Sequence, residues 1–187
     1  FYRETNSIQT IKNVQKEDYR LGIIRFSEDN DRYYRSLMEE KELTGVLITE
    51  FRYVLLMRAD SPLAALETIT YDDLRRYMEI AHADPSVPSL PIEDDKKEDA
   101  CETPGRRIYV FERASQFSLL SENPDTFMWV SPVPKSMLDR YGLVERECAS
   151  DRGVYKDVFI HRKDYTLTPL DNAFIEHLIR VKRETIH

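Results

Sequence analysis

The residues able to do covalent or metal chemistry are few and scattered. His82, His161, His177 and His187 show neither HExxH nor HxH spacing, so no metal site is expected. Cys101 and Cys148 stand far apart with no CxxC pair, which fits neither a zinc site nor a redox motif and points to a reducing compartment. No Gly-x-Ser-x-Gly elbow activates a serine, and the 5 glycines build no phosphate-cradling loop. His82-Ala83-Asp84 has the composition of a general-base fragment, but no nucleophile accompanies it. The sequence therefore predicts no enzyme, no cofactor and no metal.

The polar residues suggest binding instead, because they collect where short apolar runs end. Arg25 and Ser27 close the run Leu-Gly-Ile-Ile-Arg-Phe at 21–26. His82, Asp84 and Ser86 come after the apolar residues 78–81, among Pro85, Pro88 and Pro91, which can continue neither a helix nor a central strand. Ser115 and Gln116, with Glu112 and Arg113, come after the run that holds Ile108 and Val110. Ser131 comes after the run around Trp129. In an open α/β sheet, the ends of parallel strands and the starts of the helices after them face one crevice. Backbone N–H groups there favour carboxylate or phosphate. Taken singly, a Ser or Asp at such a place is usually a helix cap. Repeated at the end of several strands in one chain, the pattern predicts a small-molecule crevice.

The elements that position these residues alternate along the chain. Residues 1–5 read as a short strand. Thr5-Asn6-Ser7 can cap a helix carrying Ile8, Ile11 and Val14 at helical spacing. The strand at 21–26 leads through Asp29 or Asn30 into a second helix with Tyr33, Tyr34, Leu37 and Met38 on its apolar face. This β-α-β-α order predicts a parallel sheet covered by helices. Strands are expected at 43–49, 51–58, 78–81, 107–112, 126–131, 143–148 and 154–162. Helices are expected after Thr70, Arg113 and Ser136, the last stopped by Gly142. Thr168 or Asp171 caps the final helix, whose inward face carries Phe174, Ile175, Leu178 and Ile179. The acidic stretch Glu93-Asp94-Asp95-Lys96-Lys97-Glu98-Asp99 reads as a solvated loop or helix surface.

Composition narrows the function further. The 187 residues are 41% hydrophobic and 11% aromatic, enough for one domain or two small ones. A net charge of −7 repels a phosphate backbone, so this chain is not expected to bind nucleic acid by itself. The apolar runs are too short to span a bilayer and the start is no export leader, so no membrane contact is expected. Phe1 without a preceding Met reads as the start of an excised piece.

The order of elements resembles the effector-binding (substrate-binding) domain of LysR-type bacterial transcriptional regulators. Asp18-Tyr19-Arg20-Leu21-Gly22-Ile23-Ile24 looks like the family's G-x-L-D-L-A-I strand. Tyr53-Val54-Leu55-Leu56-Met57 and then Asp60-Ser61-Pro62-Leu63-Ala64 look like its segment ending in HPLA, with Ser61 in place of His. Ile69-Thr70-Tyr71-Asp72-Asp73-Leu74 is similar to the family's next motif, v-t-l-x-D-L. Residues 126–132 sit where the family has a glycine-rich strand ending in Pro, here with Phe127, Met128 and Trp129 and no glycine. Residues 171–178 look like its closing helix. The family's first strand and helix have no counterpart, and neither does its DNA-reading helix-turn-helix.

The resemblance implies two Rossmann-like α/β subdomains joined by two crossover strands, like periplasmic binding proteins. Subdomain I would be residues 1–78 plus 153–187, and subdomain II residues 79–152. A small, anionic effector would bind between them. Arg25 and Ser27 would come from subdomain I, and His82, Asp84, Ser86, Ser115, Gln116 and Ser131 from subdomain II. Arg25 would pair with the anion. The full-length protein would be a cytoplasmic homo-oligomer that meets DNA only through the helix-turn-helix missing here. The alternative is a stand-alone solute-binding protein of the same architecture.

Overall fold

The computed structural model describes residues 1–16, 18–82, 106–149 and 153–186. The elements run α1 (Ser7–Gln15), β1 (Leu21–Ser27), a 3-10 turn (Glu28–Asn30), α2 (Asp31–Glu40), β2 (Leu43–Arg52) and β3 (Val54–Arg58). They continue α3 (Tyr71–Leu74), β4 (Met78–His82), β5 (Arg107–Val110), α4 (Arg113–Glu122) and β6 (Thr126–Val130). The chain closes with α5 (Lys135–Tyr141), β7 (Leu143–Arg146), β8 (Val154–Arg162) and α6 (Pro169–Thr185). Two compact units result: Phe1–Arg52 with Gly153–His187, and Tyr53–Arg152.

In the first unit the strand order is β1-β8-β2, and both pairings are antiparallel. The β-α-β-α order predicts a parallel sheet here, but β8 returns from the far end of the chain and inserts between β1 and β2. Alternation along the strands then sorts side chains onto two faces. Ile24, Phe26, Val158 and Ile160 pack with Ile11 and Val14 of α1 and Tyr34 of α2. Phe159 and Ile48 pack with Ile175 of α6 on the other side. Phe174, expected inward, is 47% exposed, because Ile175 and Leu178 hold the contact face.

Local chemistry fixes the first unit's ends and crossings. Asn6 caps α1 by accepting the Gln9 N–H at 2.7 Å. Ser7 Oγ accepts the Arg25 N–H at 2.9 Å and donates to the Arg25 carbonyl at 2.7 Å, satisfying both backbone groups of one residue of β1. A Cβ on Gly22 would lie 2.6 Å from Thr10 Cγ2, so only glycine lets α1 approach β1 this closely. Thr168 and Asp171, alternative caps of α6 by residue type, act together as a capping box. Residues 1–5 form no strand, and Phe1 and Tyr2 lie open to solvent.

The second unit's sheet has the order β5-β4-β6-β3-β7. β4 runs parallel to β5 and β6, whereas β3 runs antiparallel to β6 and β7. One face carries Leu55, Met57 and Phe127 against Leu63, Ile69 and Leu74. The other carries Leu56, Ile80, Met128 and Leu143 against Leu120 of α4. Because β3 lies in this sheet, residues 53–78 fall in the second unit, where the sequence grouped them with the first. Arg146 donates to the carbonyls of Ala64, Leu66 and Glu67 and so ties down the loop after β3. Buried Ser61 donates to the Pro124 carbonyl at 2.6 Å in the same region. Among the described residues no helix is long and apolar enough to cross a membrane.

Candidate functional site

Parallel pairing brings the ends of β4, β5 and β6 to one edge of the second sheet. His82 stands opposite Val110, and the β4–β6 pairing places Met78 beside Thr126. The residues that leave each strand therefore gather at that edge. His82 is the exposed last residue of β4. The residues after β5 enter α4 directly, with Glu112 as its N-cap residue and no side chain capping it. Ser115 Oγ donates to Glu112 Oε2 at 3.3 Å. Ser131 comes directly after β6 and is half-buried.

Gln116 distinguishes this edge from a row of ordinary caps. It lies in the first turns of α4, one turn ahead of fully buried Leu120, which faces the sheet, and is itself only 4% exposed. Among the described residues no group donates to its amide or accepts from it. Its amide is not closed off from solvent, so it is open to an incoming partner. A ligand at the strand ends would supply one.

The first unit's two expected residues make contacts within their own chain. Arg25 forks onto Asp157, directly opposite it on β8, with Nε to Oδ1 at 2.7 Å and the second nitrogen to Oδ2 at 2.9 Å. Its guanidinium also lies 4.5 Å from the centre of the Phe51 ring. Lys182 of α6 reaches the same carboxylate at 3.2 Å. Burial alone would push the Asp157 carboxyl up, but the hydrogen bonds and charges of Arg25 and Lys182 outweigh it and hold it below the usual carboxylate range. Ser27 is buried and accepts from Asn30 Nδ2 at 3.0 Å, a turn contact. Asp84 and Ser86 lie outside the described residues.

The structure thus brings His82, Ser115, Gln116 and Ser131 to one edge, and places Arg25 and Ser27 on the other unit. One residue near this edge has no signal in the sequence. Glu145 of β7 is half-buried, and its Oε1 accepts the Val133 N–H at 2.5 Å. Burial pushes its carboxyl up, with the Val133 N–H acting against that. It sits inside the strand-like run Leu-Val-Glu-Arg, where a Glu reads as an outward-facing residue of an alternating strand. Among the described residues no group of three or more His, Cys, Asp or Glu is placed to hold a metal ion.

Comparison with protein-family profiles finds no match, and comparison with curated protein sequences finds none either. Comparison with solved structures finds the same fold repeatedly. The effector-binding domain of QuiR in complex with shikimate is 18% identical, with a TM-score of 0.65 over 100% of this chain and 82% of that one. The Synechocystis CcmR regulatory domain in complex with 2-PG is 14% identical, with a TM-score of 0.65 over 98% of this chain and 83% of that one. The BenM effector-binding domain with its effector benzoate is 12% identical, with a TM-score of 0.62 over 96% of this chain and 76% of that one. A regulatory domain described as a LysR family regulator, MetR of N. meningitidis, is 15% identical at a TM-score of 0.58, over 94% of this chain and 74% of that one. The chain therefore has the periplasmic-binding-protein-like fold of LysR-type effector-binding domains.

Proposed function

We propose that this chain is the effector-sensing domain of a LysR-type transcriptional regulator. The effector binds at the edge where β4, β5 and β6 end, contacting Gln116, Ser115, Ser131 and His82. The observation that carries the site is Gln116, only 4% exposed at the strand ends, whose amide still touches solvent and has no hydrogen-bond partner among the described residues. The fold supports the class, since the structures that share it include domains with shikimate, 2-PG and benzoate. A small carboxylate is the favoured chemistry, because the uncapped first turn of α4 presents its N–H groups and the positive end of its dipole.

In this reading the domain does no chemistry. It works in the cytoplasm within a homo-oligomer and meets DNA only through a helix-turn-helix outside this sequence. Arg25 serves the first unit through Asp157 rather than by holding the anion. A stand-alone solute-binding protein is not favoured, because the structural likenesses are to domains of regulators.

Titration calorimetry against a panel of small organic acids, starting with shikimate and benzoate, tests the proposal. At least one acid is expected to bind wild type, and Gln116→Leu to weaken it by about 5- to 10-fold, the equivalent of one hydrogen bond. The melting temperature of Gln116→Leu should not fall, since the amide has no partner among the described residues to lose. No binding across the panel, or binding that Gln116→Leu leaves unchanged, would contradict the site.

A further inference from the structure

We infer that Glu145 is a positioning residue of this site, holding the segment between β6 and α5 through the single N–H that residues 132–134 can offer. The inference rests on the reading of the β4–β6 edge as the effector site.

The sequence of the held segment makes the contact specific. It runs Ser131-Pro132-Val133-Pro134, and α5 begins at Lys135. Pro132 and Pro134 have no N–H. The Val133 N–H is therefore the only backbone donor between Ser131 and Lys135, and Glu145 Oε1 takes it at 2.5 Å. Glu145 pairs with Leu56 of β3, which pairs in turn with Met128 of β6. Two residues after buried Leu143 on the same strand, its side chain lies on the sheet face that α4 and α5 cover.

The residue type is also informative. A half-buried carboxylate with no cation at ion-pair distance among the described residues is a disfavoured choice for an apolar sheet face. It provides a charge-assisted bond to a main-chain N–H, of the stronger class. The bond fixes Ser131 at one end of the segment and the start of α5 at the other. α5 leans on α4 through Tyr141 and Phe117, whose ring centres are 5.6 Å apart. Phe117 is the residue next to Gln116. Glu145 thus acts on two candidate effector contacts, Ser131 directly and Gln116 through α5 and Phe117.

Nuclear magnetic resonance of the whole chain tests this without any ligand. In Glu145→Ala, the Val133 amide is expected to exchange about tenfold faster, the loss of one such bond. The Ser131 amide and the Gln116 side-chain amide signals should move with it, while signals of α6 stay in place. Glu145→Gln keeps an acceptor and should restore the signals. If Glu145→Ala does not fold, Glu145→Asp, one methylene shorter, makes the same test. Faster exchange at Val133 with Ser131 and Gln116 unmoved would reduce Glu145 to a local tether, and unchanged exchange at Val133 would remove the bond itself. Both results overturn the inference. Failure of the effector reading would show separately, as no acid moving the Gln116 signal in wild type.

Discussion

Arg25 is bonded to a carboxylate whose removal from water makes the pair sensitive to any loss. Asp157 is 3% exposed, so Arg25→Ala leaves a buried charge held chiefly by Lys182. The expected destabilisation is about 3 kcal/mol, at the low end for a broken buried pair because Arg25 itself is partly exposed. The Asp157 carboxyl is held below its unfolded value, so the pair contributes fully above the ordinary carboxylate range. That contribution is lost as pH falls through the lowered folded value. Urea unfolding should show wild type losing stability in acid more steeply than Asp157→Asn. The double variant should lose much less than the sum of the singles, and additive losses would contradict the pairing. The type and position of Arg25 were legible in the sequence, but its partner lies 132 residues away. Gln116 was legible as a strand exit; that the residue is 4% exposed, with an amide unpartnered among the described residues, was not. Glu145 gave no signal because the loop it holds joins it only through the sheet.

At the scale of elements, periodicity and punctuation carried most of the fold. Asn6, the Thr168–Asp171 pair and Gly142, which ends α5 at φ 61°, all terminate helices where their residue types suggest. Pairing was not legible, because strands equally apolar can pair either way. β8 entering between β1 and β2 made the first sheet antiparallel, and β3 joined the second sheet through β6 and β7. Gly22 marks a crossing whose meaning only packing reveals. Gly22→Ala places a methyl 2.6 Å from Thr10 Cγ2 and about 3.0 Å from side-chain atoms of Ile160 and Val14. It should destabilise by about 1–3 kcal/mol through overpacking, measured as a shift of the urea midpoint at constant slope. An unchanged midpoint would mean that α1 does not rest on β1 as closely as described.

For the whole molecule, the chain passes from the first unit to the second after Arg52 and back after Arg152. In the proposed reading, an effector acts only through the difference in its affinity for the protein's states, so the site must be formed from groups that a ligand can satisfy. The net charge of −7 disfavours contact between this chain and a phosphate backbone. Everything proposed for the effector turns on its placement at the β4–β6 edge of the second unit. The measurement that tests this placement most directly is a titration of the isotope-labelled chain with the tightest-binding acid of the panel, monitored through amide shifts. Saturable shifts are expected at the Gln116 side chain and at Ser115, Ser131 and His82. Saturable shifts confined to α1, β1 and α2, with the Gln116 side chain unmoved, would contradict it.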